Sequence, residues 1–182
     1  MVVGETEVDL GITIDIDDPK EVGADRVVNA VAALDRYSGS LIVVDFGTAT
    51  TFDVVDADGT YRGGVIAPGI NLSLEALYNA AARLPRISIS ETKTNESSIK
   101  TSNVIGKSTK AAMHSGIFWG YIGLIEGIVT RIKHEFAKPM TVIGTGGLAR
   151  IFYNATDSID HIDEDITNAG LVLIYKRNLP WK

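Results

Sequence analysis

The chain has 182 residues, 45% of them hydrophobic and 22% charged, with a formal net charge of −6 and a pI near 5.0. This composition is typical of one globular domain, or of one domain plus part of another, with a substantial core. The acidic balance argues against nucleic-acid binding, which needs a basic face. The absence of cysteine excludes disulfides and thiolate metal sites and fits a reducing cytoplasm. The most apolar segment, 117–129, is too short to span a bilayer, so we expect no membrane insertion.

The first 38 residues predict a short strand followed by a helix. Residues 11–16 suit a strand, and Pro19 predicts a helix entry over 17–21, because proline fits the first helical position. The apolar spacing that follows predicts a helix ending near 37–39. Asp25 and Arg26 stand in its first turns. Two interpretations fit this position. Either both residues belong to a functional site, or Asp25 only complements the helix dipole while Arg26 is solvated.

Residues 41–55, Leu-Ile-Val-Val-Asp-Phe-Gly-Thr-Ala-Thr-Thr-Phe-Asp-Val-Val, predict the central hairpin. An apolar strand leads to Asp45, a glycine- and threonine-rich turn follows, and 52–55 form the return strand. Small residues, backbone amides and hydroxyls around one carboxylate suit a phosphate with its cation. An ordinary hairpin with an Asx-type turn is the alternative.

A third strand is predicted over 61–66, and a helix from Leu72 to Leu84, stopped by Pro85. Residues 88–103 are polar and rich in hydroxyls, which predicts a long functional or mobile loop.

One long helix is predicted over 108–136, where large apolar residues recur at spacings of three and four. A second stripe consists of glycines 116, 120, 123 and 127. Interior helical glycines each cost about 1 kcal/mol relative to alanine, so the stripe implies close approach of another element. Packing within the domain and packing across a homodimer both fit, and we favour the dimer.

The last third predicts alternating strands and helices. A strand at 140–143 opens into the glycine-rich turn 144–147, which suits either a nucleotide or a tight strand-to-helix connection. A strand at 159–162 and a helix at 166–177 follow. Three leading antiparallel strands and later βα crossovers make the predicted fold α/β with a mixed sheet.

Several common chemistries are missing from the chain. The three histidines are scattered without metal-ligand spacing, and there is no G-x-S-x-G elbow and no P-loop. The remaining polar set fits phosphoryl transfer, which mainly requires positioning, charge compensation and one base. Its members are Asp25, Arg26, Asp45, Thr48, Thr50, Thr51 and Thr109.

Six motifs in order resemble the type III pantothenate kinase family of the acetate and sugar kinase/actin superfamily, over nearly the whole chain. They are Glu-Val-Gly-Ala-Asp-Arg (21–26), Val-Asp-Phe-Gly-Thr-Ala-Thr-Thr (44–51), Gly-Gly-Val-Ile-Ala-Pro-Gly-Ile (63–70), Ala-Ala-Arg-Leu-Pro (81–85), Gly-Lys-Ser-Thr (106–109) and Thr-Gly-Gly-Leu-Ala (145–149). The resemblance implies a ribonuclease H-like, actin-like ATPase fold. It also implies ATP-dependent phosphorylation of pantothenate to 4′-phosphopantothenate, the first step of coenzyme A synthesis, by a cytoplasmic homodimer.

The resemblance also assigns roles to individual residues. Asp25 would be the general base, and Asp45 would lie near a monovalent cation, K⁺ or NH₄⁺. A Mg²⁺ ion would accompany ATP. Pantothenate would be held by Gly23, Ala24, Arg26 and Thr109, and the nucleotide and its phosphates by Gly47, Thr48, Thr50, Thr51, Gly146 and Gly147.

The chain departs from the family pattern at its start. Members of the family begin with another domain that carries an Asp-x-Gly-Asn-Thr phosphate loop, and this sequence contains no such motif. We therefore expect an N-terminally truncated kinase, inactive alone, in which residues 1–38 are the remnant of the first domain and 39–182 form the second. Two alternatives stay open: a non-enzymatic regulatory module of the transcriptional accessory type, and a kinase for another small substrate.

Overall fold

The structure is a computed structural model that describes residue 3 and residues 8–81, 84–87 and 103–179. Within them, six strands form one mixed sheet in the order β1-β4-β3-β2-β5-β6. β2, β3 and β4 are antiparallel neighbours, whereas β1 pairs with β4, β5 with β2 and β6 with β5 in parallel. The α/β prediction with three antiparallel strands and later crossovers is confirmed. The strands are Thr13–Ile14, Ser40–Phe46, Ala49–Val55, Thr60–Pro68, Met140–Thr145 and His161–Ile162, numbered β1 to β6.

Five α-helices among the described residues cover both faces of this sheet, since the central strands bury side chains on either side. On one face, Leu41 and Val43 pack with the alanines of α1 and with Ile166 of α5. On the other, Ile42 and Val44 pack with residues of α2, α3 and α4. The helices are Ala24–Arg36, Ile70–Ala80, Thr109–Phe136, Ala149–Tyr153 and Ile166–Arg177, numbered α1 to α5. None of these helices is both long and apolar enough to span a membrane.

The helix entry predicted over 17–21 is a separate element. Pro19–Glu21 forms one 3-10 turn, capped by the Asp18 side chain, which accepts a hydrogen bond from the Lys20 amide at 3.0 Å. Val22 is extended and Gly23 also lies outside the helix, so α1 begins only after them. The interruption makes Gly23 the N-cap of α1 and places Asp25 in its first turn.

The long helix predicted over 108–136 is confirmed as α3. Ser108 caps it by accepting a hydrogen bond from the Ala111 amide at 3.2 Å, and Ala137 ends it in the left-handed conformation with φ of 52°. Its predicted large face is buried against the sheet. Added Cβ atoms at Gly116, Gly120 and Gly123 would meet no atom of the described residues within 4 Å, whereas one at Gly127 would lie 3.2 Å from Arg131 Nη1, so three of the four positions in the glycine stripe are open.

Two other predictions need adjustment. The helix after β4 ends at Ala80, because Ala81 is already extended, rather than at Leu84 before the proline. The polar loop predicted over 88–103 lies outside the described residues, except for Asn103.

Candidate active site

Asp45 lies near the carboxyl end of β2, in the middle of the sheet. Its register partners are Thr51 on β3 and Thr145 on β5, so the three residues lie side by side across neighbouring strands. Ligands of open α/β sheets bind at such carboxyl ends. Since β2 and β5 are parallel neighbours, the glycine-rich turns that follow them lie at the same edge of the sheet, next to Asp45.

The turn predicted after Asp45 is shorter than the sequence suggested. Only Gly47 and Thr48 connect the strands, and both are exposed, whereas Thr50 and Thr51 already belong to β3. Because side chains alternate along a strand, Thr51 shares a face with Asp45 and Thr50 takes the other. Thr50 is 1% exposed, and its hydroxyl has no hydrogen-bond partner among the described residues. Because the Thr50 hydroxyl is buried, the structure gives no support to its predicted contact with a phosphate.

The Asp45 carboxylate is partly buried and has no cationic partner within 4 Å among the described residues. The Asn29 side-chain amide donates to Oδ2 at 3.1 Å. Burial raises the pKa of Asp45, the charges of Asp25 and Asp53 raise it further, and the Asn29 hydrogen bond opposes them. A carboxylate in this environment gains from a bound monovalent cation, so its chemistry fits the predicted cation site.

Gly146 and Gly147 form the second glycine turn beside Asp45. Gly146 has φ of +88°, and a Cβ atom there would lie 2.7 Å from Asp45 Oδ1. At Gly147 an added Cβ would meet nothing within 4 Å. The β5–α4 turn thus approaches the carboxylate closely and leaves open space beyond it.

Asp25 is exposed in the first turn of α1, where its Oδ1 accepts a hydrogen bond from the Arg26 amide at 3.0 Å. A Cβ atom on Gly23 would lie 2.6 Å from this Oδ1, so glycine leaves room for the carboxylate. Ala24 is the exposed first residue of the helix. The charge of Asp25 raises the pKa of Asp45, and Asn29, one helical turn further along α1, donates to Asp45, so the start of α1 lies near that carboxylate.

Arg26 is not solvated, so that half of the alternative is wrong, while the helix-dipole role of Asp25 stays open. Its side chain is 16% exposed, and its Nε donates to Asp53 Oδ1 at 2.7 Å. Asp53 is fully buried and also accepts hydrogen bonds from the hydroxyls of Tyr61 and Thr51, at 2.7 and 3.0 Å. Burial raises the pKa of Asp53, and the Arg26 charge opposes this shift.

Three residues of this site were missed by the sequence analysis: Asn29, Asp53 and Tyr61. Asn29 and Asp53 are polar residues in otherwise apolar stretches of a helix and a strand, and that interruption was the available signal. Asn29 is 1% exposed and accepts a hydrogen bond from the Thr167 hydroxyl at 2.7 Å. This contact joins α1 to α5 behind Asp45.

Thr109 is exposed at the start of α3. No hydrogen bond joins its side chain to Asp25, Arg26 or Asp45 in the parts of the chain that the structure describes. Its role in substrate binding stays a prediction. Those parts also contain no group of three or more His, Cys, Asp or Glu side chains placed to hold a metal ion.

Similar structures support the fold. A crystal structure from Campylobacter jejuni, described as a Baf family transcriptional activator, aligns with a TM-score of 0.62 at 23% identity, covering 93% of this chain and 70% of that one. A 2-dehydro-3-deoxygalactonokinase structure from Sinorhizobium meliloti aligns with a TM-score of 0.51 at 14% identity, covering 87% and 60%. At these identities the likeness concerns the fold, which is of the actin-like ATPase type.

Sequence relatives identify the family. The family model described as type III pantothenate kinase matches residues 1–131. Proteins of that name from Rhodospirillum rubrum and Paramagnetospirillum magneticum are 61% and 60% identical over 99% and 98% of this chain. The chain spans 66% and 65% of the length of these two relatives. The chain belongs to the type III pantothenate kinase family.

Proposed function

We propose that the protein transfers the γ-phosphoryl group of ATP to the hydroxyl of pantothenate, giving 4′-phosphopantothenate and ADP. Family membership supports the reaction class. The observation that carries the proposal is an exposed Asp25 next to a held Arg26 in the first turn of α1, the helix whose Asn29 donates to Asp45. The proposal assigns Asp25 as the base, Arg26 as the cation that binds the substrate and Asp45 as the carboxylate on the phosphate side, a set that phosphoryl transfer requires.

In the proposed reaction, Asp25 accepts the proton of the pantothenate hydroxyl while the oxygen of that hydroxyl attacks the γ-phosphorus of ATP. The bond from that phosphorus to the bridging oxygen breaks, and ADP leaves. Arg26 binds pantothenate together with Gly23, Ala24 and Thr109. The exposed Gly47–Thr48 turn and Thr51 line the phosphates, with Thr50 packed beneath them, and Gly146 and Gly147 line the adenosine side.

Asp45 would hold a monovalent cation, K⁺ or NH₄⁺, which supplies positive charge beside the phosphates. A Mg²⁺ ion would arrive with ATP and compensate the charge of the transferring group. The partly buried carboxylate without a cationic partner is what supports the first of these assignments.

The proposed assembly is a homodimer that forms through α3. The open glycine stripe supports it, because Gly116, Gly120 and Gly123 leave room for a second helix to approach. A reaction that consumes ATP would place the protein in the cytoplasm.

The test measures ADP formation by the protein in its full natural length, with and without pantothenate. We expect ADP to appear only with pantothenate, and Asp25→Asn to lower kcat by about 10²- to 10⁴-fold, the range for loss of a general base. Asp35→Asn is the matched control, because Asp35 is also exposed on α1 and also precedes an arginine. Full activity in Asp25→Asn would refute the assignment of the base.

A further inference from the structure

Asp53 is an aspartate enclosed by donors in the centre of the sheet. It is 0% exposed, and its two oxygens accept three side-chain hydrogen bonds. Arg26 Nε and the Tyr61 hydroxyl both donate to Oδ1 at 2.7 Å, and the Thr51 hydroxyl donates to Oδ2 at 3.0 Å. The network therefore ties α1 to β3 and β4.

Stability alone does not account for this arrangement. A buried ion pair loses hydration on both partners, and replacing such pairs by apolar residues often leaves stability unchanged or higher. Burial accordingly raises the pKa of Asp53 despite the adjacent guanidinium, and it also raises the pKa of Tyr61. Because Asp53 is costly to bury and contacts Arg26, which the proposed function assigns to pantothenate binding, a functional role for Asp53 is the simpler explanation.

The geometry leaves the far end of Arg26 available. Asp53 takes Nε, and neither Nη group donates a hydrogen bond to any residue that the structure describes. The guanidinium carbon lies 5.8 Å from the centre of the Tyr61 ring. A Cβ atom at Gly64 would lie 2.0 Å from the carbonyl oxygen of Phe52 and 3.0 Å from Nη2, so the guanidinium packs close to the backbone of β4 at this glycine.

We propose that Asp53, supported by Tyr61, is a positioning residue that fixes the Arg26 guanidinium with its two Nη groups turned to the pantothenate site. This inference rests on the proposed function. Pantothenate is an anion at neutral pH, and a guanidinium held in one orientation binds an anionic group with less loss of side-chain freedom on binding. Asp53 touches no substrate in this scheme and acts only through Arg26.

The first test is steady-state kinetics of Asp53→Asn in the protein of full natural length. Losing a hydrogen bond to a charged group corresponds to about a 10-fold or larger rise in KM for pantothenate. We expect KM for ATP to stay within about twofold and kcat to change less than KM for pantothenate, since the base is untouched. Tyr61→Phe removes one of the three donors, so its KM should shift in the same direction but less.

Asp163 provides a matched control. It accepts hydrogen bonds from Arg36 Nη1 at 2.7 and 2.6 Å and from the Tyr37 hydroxyl at 3.4 Å, so it repeats the arginine–tyrosine arrangement around Asp53. Arg36 lies ten residues further along α1, about 15 Å at the rise of a helix. Asp163→Asn should lower the melting temperature comparably and leave KM for pantothenate unchanged.

A double-mutant cycle then separates positioning from general destabilisation. If Asp53 acts through Arg26, Asp53→Asn should raise KM for pantothenate no further in an Arg26→Ala background. Equal effects of Asp53→Asn in both backgrounds, or an unchanged KM in the single variant, would overturn the proposal.

An NMR measurement keeps this proposal separate from the proposed function. In the wild type we expect a slowly exchanging Arg26 Nε–H resonance, lost in Asp53→Asn and retained in Asp163→Asn. Should the wild type fail to phosphorylate pantothenate, the proposed function falls, and a lost resonance would still support the fixing of Arg26 by Asp53. A resonance that persists in Asp53→Asn would overturn it, whatever the substrate.

Discussion

Gly146 adopts a conformation that other residues rarely take, and it does so against the Asp45 carboxylate. Its φ is +88°, and an added Cβ would lie 2.7 Å from Asp45 Oδ1 and 2.8 Å from the backbone nitrogen of Phe46. Gly59, in the β3–β4 turn, has a nearly equal φ of +84° but no atom within 4 Å of an added Cβ. A side chain at Gly59 would meet backbone strain alone, whereas a side chain at Gly146 would meet the same strain and also steric crowding.

We expect Gly59→Ala to lower the free energy of unfolding by about 1–2 kcal/mol, the cost of a left-handed conformation with a side chain. Gly146→Ala should lower it by about 2–5 kcal/mol, because overpacking against Asp45 adds to that strain. Urea denaturation of both variants measures the difference. Equal losses would show that the close approach seen at Gly146 has no energetic consequence.

Two helical glycines have opposite surroundings at the level of the elements. In α5, a Cβ atom at Gly170 would lie 2.1 Å from the carbonyl oxygen of Val28, so this glycine lets α1 and α5 approach closely. In α3, a Cβ atom at Gly120 would meet nothing within 4 Å. One glycine is required by packing within the chain, whereas the other is not.

Alanine at these two positions should therefore act in opposite directions on the single chain. Under conditions where the protein is monomeric, Gly120→Ala should stabilise it by up to about 1 kcal/mol through helix propensity. Gly170→Ala should destabilise it by about 1–3 kcal/mol or more, because the helices must separate. Thermal unfolding at low protein concentration provides the comparison.

Sedimentation of the same variants tests the proposed dimer. If α3 is the dimer face, Gly120→Ala should weaken self-association while Gly120→Ala monomers remain more stable than the wild type. Unchanged association would argue against close helix packing at that glycine.

Asn29 connects distant parts of the molecule behind the site. Its side chain donates to Asp45, 16 positions later, and accepts from Thr167, 138 positions later. α1, β2 and α5 are thereby joined through one buried amide. Because this hydrogen bond lowers the pKa of Asp45, its loss should raise that pKa further above the ordinary value.

Asn29→Ala should destabilise the protein by about 1–3 kcal/mol at pH 7, where ionised Asp45 is left without its donor. A carboxyl whose pKa is raised in the folded state favours folding at low pH and loses that contribution as pH rises through the folded pKa. The stability difference from the wild type should hence shrink as pH falls below the pKa of Asp45.

Urea unfolding midpoints of both proteins across pH measure the stability difference, and a carbon-13 NMR titration measures the pKa of Asp45. Thr167→Val is the control, since it removes the hydroxyl that Asn29 accepts from and leaves the Asp45 contact in place. A stability loss in Asn29→Ala that is independent of pH would contradict the explanation.

The sequence by itself determined the features that depend on residues close together in the chain. Periodicity and end signals predicted α3 and α5 almost to the residue, and turn chemistry placed the three antiparallel strands. The six ordered motifs led to the family, whereas the roles that the resemblance assigns to Asp25 and Asp45 stay predictions. The division at residue 38 and the role of Thr109 stay predictions.

The tertiary structure decided what depends on residues far apart in the chain. Local patterns do not contain the pairing of Arg26 with Asp53 or the link from Asn29 to Asp45, because strand register and helix packing create both contacts. Strand alternation likewise places Thr50 on the face opposite Thr51 and buries it, although the resemblance assigned both threonines to the phosphates. Only the folded chain showed that Gly116, Gly120 and Gly123 of α3 stay open while Gly170 is closely packed, since each depends on which element lies opposite.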